Sequence, residues 1–177
     1  GWAAPILARQ SGLKTAQALS DLTDHWLRTL WTQALPPALR DDLSLFAIGS
    51  YGRQELAFFS DIDLLIALHD PHLASQPELA LAIERFITWA RQPRLRLSHA
   101  VRTAQQTREL LATDDLHSAI ALIDLRPLTA PAPVEEFTPD FVINYLRKDD
   151  EGRSFVHALF QGHRLRVERQ GQTVYLL

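Results

Sequence analysis

The run Gly49-Ser50-Tyr51-Gly52-Arg53-Gln54-Glu55-Leu56-Ala57-Phe58-Phe59-Ser60-Asp61-Ile62-Asp63 decides the reading of this chain. A small-residue turn opens it, two carboxylates one residue apart close it, and the apolar run Leu64-Leu65-Ile66-Ala67-Leu68 follows. Strand side chains alternate between faces, so Asp61 and Asp63 share one face while Ile62 enters the core. Two acids this close repel each other unless a cation sits between them. Magnesium, with manganese as its substitute, is the natural cation: it prefers oxygen ligands and keeps phosphate as a co-ligand.

Upstream, Phe46-Ala47-Ile48 reads as a short buried strand entering Gly49-Ser50. Glycine lets backbone approach a ligand closely, and Ser50 adds a hydroxyl donor. Backbone N–H groups at a following helix start would suit phosphate oxygens. The ten residues 51–60 leave room for a turn, a short helix and entry into the next strand. A triphosphate held at Gly49-Ser50 would then meet metal ions on Asp61 and Asp63, an arrangement suited to in-line phosphoryl chemistry. Taken singly, each part has a plain reading. An Asp-x-Asp is common in surface turns, and a Gly-Ser pair is usually just a turn. The combination inside a hydrophobic run, where unpaired charge is costly, points to a metal site.

Composition narrows the classes. At 177 residues and 46% hydrophobic, the chain has material for one domain with an appendage. A net charge of -3 gives no general attraction to nucleic acid or anionic membrane, and mean hydropathy is -0.10. No apolar run approaches the roughly 20 residues that span a bilayer. There is no cysteine, which excludes disulfides and thiolate metal sites and agrees with a cytoplasmic location. There is also no methionine, so the start is expected to have been trimmed or replaced.

The periodicity predicts a helix over 11–34, with Leu19, Leu22, Trp26, Leu27 and Leu30 on its stripe, ended by Pro36-Pro37. Leu79, Ile83, Phe86, Ile87 and Ala90 predict a second helix closed by Gln92-Pro93. Residues 94–103 read as a strand. Its Leu95, Leu97, His99 and Val101 share an apolar face, where His99 reads as a core histidine. Arg96, Ser98, Ala100 and Arg102 share the polar face, toward the site. The fork of Arg102 suits two-point contact with phosphate, and a surface ion pair is its plainer role. Thr113-Asp114-Asp115 reads as a helix start, 116–128 as a helix, and Pro127, Pro131 and Pro133 as a linker. Residues 137–167 read as further helices, with Arg164, Arg166 and Arg169 on a solvated face. The expected organisation is a helical segment over 1–38, a catalytic core over 39–130 and a truncated helical extension over 131–177.

Gly49-Ser50, the ten-residue gap and Asp61-Ile62-Asp63 resemble the signature of the DNA-polymerase-β-like nucleotidyltransferase superfamily. The longer string is closer to the N-terminal transferase domain of the bifunctional PII uridylyltransferase/uridylyl-removing enzymes. Leu97-Ser98-His99-Ala100-Val101-Arg102-Thr103 is similar to a motif of that family, and so is the stretch from Arg164 to Tyr175. The resemblance implies an α+β fold, a mixed sheet flanked by helices, with an N-terminal helix and a C-terminal helical extension. It implies UTP as nucleotide, a tyrosine hydroxyl of the PII nitrogen-signal protein as acceptor, and pyrophosphate as leaving group. Asp61 and Asp63 would bind the metal. Gly49 and Ser50 would seat the triphosphate, with Arg53 and Arg102 as charge partners.

Departures from the pattern are specific. Gln54 stands where the family usually has glycine. Superfamily members commonly carry a third carboxylate on the second motif's strand; here Ser98 takes about that position, which leaves the general base unassigned. The hydrolytic and sensing domains of the family are absent from the 177 residues, so the chain is expected to be a piece or a shortened relative. Two other readings stand beside uridylyl transfer. One is adenylyl or other nucleotidyl transfer to a different acceptor; the other is a nucleotide-binding regulatory module whose catalysis has lapsed.

Overall fold

A computed structural model of the chain describes residues 12–92, 95–112, 121–129 and 137–147. In chain order these form helix α1 (Gly12–Ala34), a short α2 (Pro37–Arg40), strand β1 (Leu43–Ala47) and the one-turn α3 (Gly49–Gly52). Strand β2 (Ile62–Leu68), a 3₁₀ turn (Pro71–Ser75), α4 (Pro77–Ala90) and β3 (Leu97–Thr103) follow. Then come α5 (Ala104–Leu111), the two-residue β4 (Arg126–Pro127) and α6 (Pro139–Arg147).

The sheet runs β3-β2-β1-β4. β1 and β2 are antiparallel, with Leu45 opposite Ile66 and Ala47 opposite Leu64. β2 and β3 are parallel, joined through α4 as a parallel pair requires. β1 is buried along its whole length and β2 nearly so, because both faces of the sheet are covered.

Alternation along β2 divides the core in two. Ile62, Leu64, Ile66 and Leu68 pack with Leu45, Leu27, Trp31 and Phe86 beneath α1 and α4. There Trp31 meets Phe86 edge to face at 5.1 Å, a geometry worth about 0.5–1.5 kcal/mol beyond area burial. Leu65 and Ala67 turn the other way, toward Phe46, Leu111, Leu125, Phe137 and Val142. Asp63 belongs to this second face by the same alternation. β3 gives way to α5 at Thr103, whose side chain accepts from the Gln106 N–H while the Gln106 side chain accepts from the Thr103 N–H.

The mixed sheet between helices is the expected α+β architecture. The α4 stripe is buried at every predicted position. Three expectations change. The buried face of α1 is Ser20, Thr23, Asp24, Leu27, Trp31 and Ala34, whereas Leu22 is 55% exposed. The helix predicted to continue to residue 128 is replaced by β4, where Arg126 pairs with Ala47 and Pro127 with Phe46. Proline suits this edge position because its missing N–H is not needed there. His99 is exposed rather than a core residue, since β3 is the edge strand of the sheet. The predictions at Asp114, Asp115, Arg164, Arg166 and Arg169, and the 148–177 part of the helical extension, lie outside the described residues.

Candidate active site

β1 ends at Ala47 and delivers Ile48 to the start of β2, where the Ile48 N–H donates to the Asp63 carbonyl at 3.1 Å. The chain then turns sharply. Gly49 has φ +61°, a left-handed conformation that L side chains rarely adopt. A Cβ at Gly49 would lie 3.6 Å from Asp63 Oδ2. Glycine therefore leaves a space beside that carboxylate oxygen which any larger residue would fill. Gly49 and the second acid, fourteen positions apart in sequence, are neighbours in space.

Asp61 and Asp63 flank Ile62, which is buried in the core. Asp61 is exposed just ahead of β2, and Asp63 is half-buried on it. The parallel ladder begins between them, with the Ile62 N–H donating to the Arg96 carbonyl at 2.8 Å. Across that ladder Asp63 faces Ser98, whose hydroxyl donates to Asp63 Oδ1. One carboxylate oxygen is thus fixed by β3 while the other faces the Gly49 turn. Ser98 stands where the resemblance would place a third acid. Among the described residues there is no group of three or more Asp, Glu, His or Cys side chains arranged to hold a metal. Two carboxylates with an open space beside one oxygen fit magnesium, which binds through one or two carboxylates and completes its shell with water and phosphate.

The two arginines predicted as charge partners lie differently. Arg53 spends its guanidinium on Glu55, at 2.8 Å, and on Asp124. The Glu55 hydrogen bond is the main reason its pKa is raised; burial opposes it, and Asp124 adds to the rise. Arg102 sits opposite Ala67, four residues along the strands from the Asp63–Ser98 pair, a separation of about 13 Å. The structure brings Gly49 and Asp63 together with Ser98, with Ser50 and Asp61 beside them in the chain, and sets Arg102 apart.

Behind the turn is a network that motif reading missed. Asp24 of α1 is only 4% exposed. Its carboxylate accepts two bonds from Arg126, at 2.5 and 2.9 Å, and one from the Tyr51 hydroxyl at 2.7 Å. Arg28 adds a longer contact at 3.5 Å. Arg126 also donates to the Tyr51 and Gly52 carbonyls at 3.2 and 3.1 Å, and its guanidinium stands 5.3 Å from the Tyr51 ring centre. Burial and then the bond to Asp24 push the Tyr51 hydroxyl pKa far above its usual value. The available signal was a carboxylate on the buried stripe of a helix, which requires a partner.

α3 ends in a Schellman motif. The Glu55 N–H reaches the Ser50 carbonyl at 2.9 Å and the Gln54 N–H reaches that of Tyr51 at 3.1 Å. Gln54 carries the left-handed residue of that cap, φ 59°, a position glycine takes more easily. Its side chain donates to Asp21 on α1 at 3.0 Å. Gly52 is needed for a different reason: a Cβ there would lie 1.9 Å from the Asp124 carbonyl oxygen.

A sheet strand with one acid on it and another just ahead of it, beside a Gly-Ser turn, fits the nucleotidyltransferase class, and residues 5–92 match the family described as "Putative nucleotidyltransferase DUF294". The chain belongs to this nucleotidyltransferase family. Its curated relatives include bifunctional uridylyltransferase/uridylyl-removing enzymes. That of Burkholderia lata is 40% identical over 122 residues, covering 68% of this chain and 13% of the relative. That of Burkholderia vietnamiensis is 35% identical over 160 residues, covering 90% of this chain and 18% of the relative. A Burkholderia mallei enzyme of the same description is also 35% identical over 160 residues, 90% of this chain and 17% of its own length. The chain thus spans less than a fifth of the length of these relatives. No helix among the described residues is long and apolar enough to cross a membrane.

Proposed function

We propose that this chain transfers a nucleotidyl group from a nucleoside triphosphate to an acceptor hydroxyl, with pyrophosphate leaving. The observation that carries the proposal is the Gly49 turn standing against Asp63 Oδ2, with Asp61 two residues away. Gly49 and Ser50 seat the triphosphate, and Asp61 and Asp63 hold magnesium. The metal, when bound, supplies positive charge to the phosphate oxygens. Asp63 is held ready for that role by Ser98, so its free oxygen needs little reorganisation. The acceptor oxygen forms its bond to the α-phosphorus as the bond to the β-phosphate bridging oxygen breaks, and the acceptor proton passes to solvent.

Within that class, the uridylyltransferase relatives and the Leu97–Thr103 string support UTP as the nucleotide and a tyrosine hydroxyl of PII as the acceptor. A cytoplasmic site of action goes with that reading. Labelled UTP with PII and magnesium tests it: label should pass to PII, and Asp61→Asn and Asp63→Asn should each abolish transfer while the fold persists. Retained transfer in both variants refutes the metal assignment, and transfer from ATP to another acceptor selects the adenylyl alternative.

The absence of a third acid among the described residues favours a second reading, a nucleotide-binding module whose catalysis has lapsed. Calorimetric binding of UTP without pyrophosphate release would support it.

A further inference from the structure

We infer that Arg126 is a positioning residue for the nucleotide seat: braced by Asp24, its guanidinium fixes the backbone of α3 so that the Gly49-Ser50 turn stands against Asp63. The inference deepens the nucleotidyl-transfer reading and rests on it for its functional readout.

α3 cannot hold itself. It is four residues long, and an isolated single turn does not form in water. Its last two carbonyls are held only weakly from within: that of Tyr51 takes the single Gln54 N–H of the cap, and that of Gly52 lies in the last turn beyond the reach of the helix's own donors. Arg126 donates to both. The same guanidinium meets both oxygens of Asp24, so its orientation is set from α1. Its backbone is fixed independently, because Arg126 pairs with Ala47 in the sheet. Ala47 is two residues before Gly49. One residue therefore clamps the turn from both sides, through the strand that enters it and the carbonyls that leave it. None of these groups is Asp61 or Asp63.

An apolar pair would also bind α1 to β4. What the planar fork adds is direction: lysine keeps the charge opposite Asp24 but cannot serve two carbonyls and a carboxylate in fixed geometry.

The test compares Arg126→Lys with the parent protein by two measurements. Affinity for magnesium–UTP, read by calorimetry, should fall about tenfold, as small misplacements of a binding group do. Affinity for manganese alone, read by electron paramagnetic resonance, should stay unchanged, because Asp61 and Asp63 are untouched. Amide exchange at Gly52 and Arg53 should quicken far more than at Leu64 and Ile66. Equal losses of nucleotide and metal affinity, or uniform quickening of exchange, would overturn the inference in favour of general loosening. If the parent binds no UTP, the uridylyl reading fails, and the exchange comparison still decides this one. If Arg126→Lys does not fold, Asp24→Asn is read the same way. Collapse of both overturns the inference, since Arg126 would then be a folding residue.

Discussion

Ser98 on β3 donates its hydroxyl to Oδ1 of Asp63 on β2, the residue it faces across the parallel ladder. The bond selects one orientation of the carboxylate and leaves Oδ2 toward the Gly49 turn. Partners of metal ligands of this kind commonly govern affinity by restricting ligand rotation.

Ser98→Ala should therefore weaken manganese binding about tenfold, the lower end for such partners at an exposed site. Ser98→Asp should do the opposite. A third carboxylate raises the charge count around the cation, so affinity rises, while the metal-free protein loses stability through repulsion among three acids. Titration of each variant with manganese, together with melting in the presence of a chelator, checks both halves. Identical affinities in the three proteins would show that Ser98 does not act on the metal ligand.

The two α3 glycines separate steric need from backbone need. At Gly52 an added methyl meets backbone oxygens of Asp124 at 1.9 Å and Ala47 at 3.1 Å, and neither can rotate away. Gly52→Ala should destabilise the fold by about 3 kcal/mol, the upper range for overpacking. At Gly49 an added methyl meets only Asp63 Oδ2, at 3.6 Å, but must adopt φ +61°. Gly49→Ala should cost about 1–2 kcal/mol. Denaturant unfolding of both variants checks the order; a larger loss at Gly49 contradicts this account of the turn.

What the sequence made legible was local. The Asp61-Ile62-Asp63 alternation and the buried stripe of α4 each follow from a period read over a few residues. The neighbourhood of Gly49 and Asp63 was legible because a buried strand entered the turn and another left it. On α1 the reading placed Leu27 in the core and Leu19, Trp26 and Leu30 against it, but took Leu22 inward and missed Asp24, because an inward Asp24 makes sense only with Arg126, 102 residues away. β4 was hidden for a related reason: a two-residue strand has no period to read. Gln54 shows the same limit in reverse. Its departure from glycine was visible, but its left-handed backbone and its bond to Asp21 are properties of the fold.

Tyr51 links stability to pH at the alkaline end. Its hydroxyl is buried and donates to Asp24, and burial followed by that bond holds its pKa far above the ordinary value of 10.0. In the unfolded chain the group ionises near 10.0, whereas in the folded chain it keeps its proton. The unfolded state then binds fewer protons, so this contribution is complete below pH 10 and is lost as pH rises beyond it. Near pH 7, Tyr51→Phe removes one hydrogen bond to a charged acceptor and should cost about 1.5–3 kcal/mol. Above pH 10 the parent loses its advantage and the variant does not, so the two stability curves should converge. Urea unfolding of both proteins between pH 7 and 11 measures this directly. A gap that stays constant across that range would mean that Tyr51 ionises in the folded protein as it does in water, and that the Asp24 bond does not hold its proton.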